Sequence, residues 1–92
     1  MLREHDRIVL AAPVPSEGLV AGDVGTVVDV YRDGQAYEVE FTTLEGKTAA
    51  VITVEATQVR PVGKREITHA RELASQWARA PRRANDLNPS AS

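Results

Sequence analysis

The chain contains no cysteine, so a disulfide framework and a thiolate metal site are both excluded, which fits a reducing cytosol. It has only two histidines, His5 and His69, far apart and without a second ligand at a spacing such as H-x-x-x-H, so no metal site is expected. Long apolar runs are missing too. The longest, Ile8 to Ala12, falls far short of the ~20 residues of a membrane span. The N-terminus, Met1-Leu2-Arg3-Glu4-His5-Asp6, is charged where a signal peptide needs an apolar stretch. The expectation is a soluble cytoplasmic protein with no membrane association.

Reactive groups are equally scarce. Ser16 is the only serine before the C-terminal part, and no histidine lies near it to activate it, so nucleophilic catalysis has no candidate pair. Gly18, Gly22 and Gly25 lack the Walker lysine and the following helix of a phosphate cradle and are read as turn and bulge residues. Neither an enzyme nor a cofactor is expected.

The hydrophobic share of 42% suits one small core in 92 residues, and the aromatic share of 4% means aliphatic side chains fill most of it. Charge is unevenly spread. Residues 1–62 hold five basic against ten acidic side chains, a balance of −5, whereas residues 63–92 hold six against three, a balance of +3.

The first part reads as short strands and turns. Residues 7–12 form a first strand, ended by Pro13 and Pro15. A folded loop follows to Gly22, with Val14, Leu19 and Val20 as its apolar anchors. In the second strand Val24, Thr26, Val28 and Val30 share a face, although Val27 breaks the alternation and Gly25 suggests a bulge or bend. Asp33-Gly34 predicts a two-residue hairpin turn, because both central positions of such a turn need positive φ. The third strand, Tyr37 to Phe41, alternates strictly and sends Tyr37, Val39 and Phe41 inward and Glu38 and Glu40 outward. Glu45-Gly46 marks a second turn, Thr48 to Val54 a fourth strand, Glu55-Ala56-Thr57 a single helical turn, and Gln58 to Val62 a last strand.

Five strands, one long first loop, two tight hairpins and a helical turn before the last strand make the order of an SH3-like barrel, mainly β, over residues 1–63. An OB-fold is the neighbouring alternative, but the segment is short and lacks that fold's helix. After Gly63 valine disappears, and Ile67, Ala70, Leu73, Ala74 and Trp77 recur at three- and four-residue spacing. This predicts an amphipathic helix over 64–80, stopped before Pro81, and a disordered tail over 81–92.

The run "DRIVLAAPVPSEGLVAGDVGTVVDVYRDGQAYEVEF", followed by "GKTAAVITVEATQVRPV", resembles the small bacterial proteins grouped as domain of unknown function family 4926. The resemblance spans Asp6 to Val62 and rests on the "EGL-x-AGDVGTVV" segment, the "DG-x-AYEVEF" hairpin and the closing "VRPV". It implies an SH3-like barrel distantly similar to the nitrile hydratase β-subunit domain. It also implies a gene neighbourhood holding a second small protein, toxin-like or nuclease-like, and hence an antitoxin or immunity role. No catalytic residue comes with it.

The candidate partner-binding residues are Asp29, Asp33, Glu38 and Glu40 on the acidic face of the hairpin, with Trp77 and Arg79 on the expected helix. The expected role is a protein-binding module, an antitoxin or inhibitor of a basic partner encoded nearby. Two alternatives stand beside it. One is a nucleic-acid-binding protein of the KOW type, which the acidic barrel disfavours because phosphate affinity comes from Lys and Arg. The other is an accessory subunit of a nitrile-hydratase-like enzyme. The partner's identity and the oligomeric state stay open.

Overall fold

β-branched and aromatic runs separated by turn residues do become strands. The computed structural model describes residues 2–73. In it β1 (Arg7–Leu10), β2 (Val24–Tyr31), β3 (Ala36–Thr42), β4 (Thr48–Glu55) and β5 (Val59–Pro61) form one antiparallel sheet in the order β4-β3-β2-β1-β5. No helix among the described residues is long and apolar enough to cross a membrane.

The third strand has the inward set that its alternation predicts. Tyr37, Val39 and Phe41 are buried beside Ile8, Leu10, Leu19, Val27, Val54 and Val59, and these residues form the core. In the loop before β2, Leu19 is buried and Val14 packs against the core, but Val20 is largely exposed. Glu45-Gly46 lies in the predicted turn, closed by Thr43 N–H donating to the Lys47 carbonyl at 2.8 Å. The helical turn falls one residue later than expected, at Ala56–Gln58. Glu55 caps it: its carboxylate accepts the Gln58 N–H while the Gln58 amide oxygen accepts the Glu55 N–H.

Three expectations are corrected. The connection between β2 and β3 is longer than two residues, because Tyr31 pairs with Ala36 and leaves Arg32 to Gln35 in the loop. Asp33 and Gly34 do have positive φ, 54° and 94°, but Arg32 adopts it as well, at 50°, which adds a residue of left-handed backbone to the turn.

The second correction concerns β2. Its inward face is Gly25, Val27 and Val30, whereas Val24 and Val28 are 37% and 40% exposed. The register steps from Val27↔Val39 to Asp29↔Glu38, so the bulge is at Val28 and reverses the face of everything after it. Gly25 is no bulge. It lies flat against β3, where a Cβ would come within 2.5 Å of Val39 Cγ1 and 2.8 Å of Phe41 Cε2.

The third correction is at the C-terminal side. No helix begins at Lys64; residues 64 and 65 turn, and the backbone is irregular to Leu73. Polar partners on the body account for this. Glu66 accepts the Gly63 N–H and pairs with Arg60 at 2.6 and 2.9 Å, while Arg71 reaches Asp23. Ile67, which the expected apolar stripe would bury, is 92% exposed. The rest of the predicted helix, 74–80, and the tail 81–92 lie outside the described residues.

Candidate functional site

Strand pairing lays out the outer face of β2, β3 and β4 in rows. Tyr31, Ala36 and Glu55 form one row; Asp29, Glu38 and Thr53 the next; Thr26, Glu40 and Val51 the third. Three of the predicted residues, Asp29, Glu38 and Glu40, therefore meet on one rigid surface. Asp29 stands directly opposite Glu38, a like-charge pair that works against stability. Asp33 is exposed in the left-handed turn that joins the same two strands. Trp77 and Arg79 lie outside the described residues.

Glu38 and Glu40 are held in place by neighbouring hydroxyls, and Asp29 accepts the Val30 N–H at 2.9 Å. The Tyr31 hydroxyl donates to Glu38 Oε1, and the Thr48 hydroxyl donates to Glu40 Oε2 at 2.6 Å. The Glu38 hydrogen bond, then desolvation, then the charges of Glu38 and Asp29 push the Tyr31 phenol up to about 12. Ion pairs among the described residues join Lys47 to Glu45, Arg60 to Glu66 and Arg71 to Asp23, and none engages this face. The result is a fixed array of anionic acceptors suited to cationic side chains.

Tyr31 and Glu55 belong to this surface and were not singled out in the sequence. Tyr31 carried a signal, since it stands two positions after Asp29 on the same strand. Glu55 had none until the β3–β4 register placed it opposite Ala36.

A second feature lies where the segment after β5 crosses the body. Leu19, Val24, Phe41, Leu44, Ile67 and Leu73 help to line a groove of about 410 Å³. Beside it Arg71 donates from Nε to Asp23 Oδ1 at 2.9 Å, and from Nη2 to Asp23 Oδ2 at 2.5 Å and to the Gly18 carbonyl at 3.1 Å. Burial pushes the Asp23 carboxyl up, but the Arg71 hydrogen bond, the Val20 N–H and the Arg71 charge together hold it below its usual value. Among the described residues no three His, Asp or Glu side chains converge as a metal-ligand group.

No curated protein and no solved structure matches the chain. One family model does, over residues 4–61, well over half of the length, and its description is a domain of unknown function. The matched span takes in all five strands, the Val28 bulge and the outer carboxylate face, and stops before the segment that carries Glu66 and Arg71. The chain thus belongs to the domain of unknown function family DUF4926.

Proposed function

We propose that this chain is a non-enzymatic protein-binding module, an SH3-like barrel whose outer carboxylate face receives a basic protein surface. The strand order β4-β3-β2-β1-β5, with a helical turn before the last strand, supports the barrel reading. One observation carries the binding reading. Asp29 and Glu38 are held opposite one another on neighbouring strands, with Glu40 beside them, a repulsive arrangement that a cationic partner relieves. The biological setting that fits is an antitoxin or inhibitor acting on a basic protein encoded nearby, in the cytoplasm.

The test starts from the product of the adjacent gene, co-purified with this chain, and measures their association by stopped flow. Glu38→Lys combined with Glu40→Lys keeps the inward set of β3 intact and slows association at least about tenfold at low salt, an effect that shrinks as ionic strength rises. Association at the wild-type rate would reduce the face to solvated surface.

A further inference from the structure

Asp23 is held by the body on both its side chain and its backbone. Its Oδ2 accepts the Val20 N–H at 2.9 Å, and its carbonyl accepts the Leu10 N–H at 2.9 Å. With Arg71 in place its side chain is only 17% exposed. The Gly18 carbonyl lies within reach of the same guanidinium, contributed by a loop that Gly18 closes at φ 72°. Two carboxylate oxygens and a backbone carbonyl thus form a fixed acceptor set that takes the planar fork of an arginine and that a lysine ammonium fits poorly.

What fills this set is a segment with little else to hold it. Residues 64–73 have no regular structure beyond a turn, and their hydrogen bonds to the body, among the described residues, come from Glu66 and Arg71. The adjoining groove has Val24, Phe41 and Leu44 on the body's side, yet Leu44 is 87% and Ile67 92% exposed. The segment crosses the groove without filling it. The acceptor set is built on the body, while the segment that fills it is attached through the side chains of Glu66 and Arg71 and reaches the set through Arg71 alone.

We propose that Asp23 and the Gly18 carbonyl form an arginine-recognition subsite for an extended basic segment of a protein partner, a subsite that Arg71 fills in the free protein and vacates when the partner's arginine enters. The inference rests on the reading of a basic protein partner and adds to it a defined anchor and a built-in competitor. A tethered arginine acts at roughly millimolar effective concentration, so a weak ligand in solution meets an occupied site.

The probe is a synthetic peptide of residues 63–73, titrated into the full-length isotope-labelled chain and followed by amide chemical shifts. Arg71→Ala opens the subsite, so the peptide gives saturable shifts at Gly18, Val20, Asp23 and Val24 with at least about tenfold higher apparent affinity than for the wild type. A peptide with citrulline at the position of Arg71 keeps the shape and loses the charge, and it does not bind. Asp23→Asn in the Arg71→Ala background abolishes binding of the arginine peptide. Equal binding to wild type and Arg71→Ala, or equal binding of the citrulline peptide, overturns the proposal without relying on a variant at Asp23. Concentration-dependent dimers formed through the groove overturn it too, by assigning the groove to a second copy. Peptide binding does not involve Glu38 or Glu40. Its failure alongside a normal charge-reversal effect on partner association removes only the subsite, and the converse pattern removes only the acidic face.

Discussion

Gly25 lies under the Val39 and Phe41 side chains of β3, and the space it leaves is already occupied. A Cβ there would lie 2.5 Å from Val39 Cγ1, 2.8 Å from Phe41 Cε2 and 3.0 Å from the Glu40 carbonyl, and both side chains belong to the core. Gly25→Ala is therefore an overpacking change in the middle of the sheet, expected to cost about 1–3 kcal/mol. Thermal denaturation checks this, since a melting temperature equal to the wild type's would show that β2 and β3 can separate freely. On the other side of the same strands, the Tyr31 hydroxyl donates to Glu38. The phenol is pushed up to about 12, first by its hydrogen bond to Glu38. The stabilisation is fully present below the ordinary tyrosine value of ~10 and is lost as pH rises through the folded value. Glu38→Gln removes the charged acceptor and brings the Tyr31 titration back toward ~10, which carbon NMR of the tyrosine ring reads directly. An unmoved titration would separate the phenol from the carboxylate face.

At the scale of elements, the segment after β5 is a strap held by ionised groups, and its acid response follows from them. Glu66 is drawn down to about 2, chiefly by its hydrogen bond to Arg60 and then by the Gly63 N–H. Asp23 also lies below its ordinary value of 3.8. Both folded values are depressed, so what these groups contribute is present above the ordinary carboxylate range and lost as pH falls through the folded values. Amide shifts of Thr68, His69 and Ala70 should move toward those of an unstructured chain between about pH 4 and pH 2, ahead of the amides of Val39 and Val54. Simultaneous movement of strap and core would deny the strap its independence. The same elements show what was legible beforehand. Strict alternation made the two faces of β3 readable, Tyr37, Val39 and Phe41 inward and Glu38 and Glu40 outward, although the strand runs one residue further at each end. In β2 the consecutive apolar pair Val27-Val28 leaves two positions where an extra residue can be accommodated, and only pairing with β3 decides between them. Asp33-Gly34 announced left-handed backbone, but nothing local announces that Arg32 joins it. Ile67, Ala70 and Leu73 keep helical spacing, yet Arg71 has its partner in Asp23, 48 residues earlier, and periodicity is blind to such a contact. The place of Glu55 on the face is hidden for the same reason, since it depends on cross-strand register, whereas that of Tyr31 follows from its i+2 spacing to Asp29.

For the whole molecule, the core and the segment after β5 draw on different parts of the chain. Every residue of the core cluster lies between Ile8 and Val59, whereas Glu66 and Arg71 bind the body through ion pairs at its surface. The exposed Arg60–Glu66 pair contributes little to stability, and neither pair is part of the core. A chain ended at Gly63 should therefore still melt cooperatively and give dispersed amide signals, although domains of ~60 residues are marginal. Its electrostatics change more than its fold. Residues 63–92 carry six basic and three acidic side chains, and their removal leaves a body with five basic against ten acidic. The truncation also frees Asp23 from Arg71. A more negative body attracts a basic partner over a longer range, and complementary charge acts mainly on the rate of encounter. Association with the proposed basic partner should thus become faster, by about twofold to tenfold at low salt, with the gain fading as salt screens the charge. Slower association in a truncated chain that still melts cooperatively would reverse the assignment. It would place part of the binding surface after Gly63 and make that stretch, rather than the outer carboxylates, the main determinant of encounter.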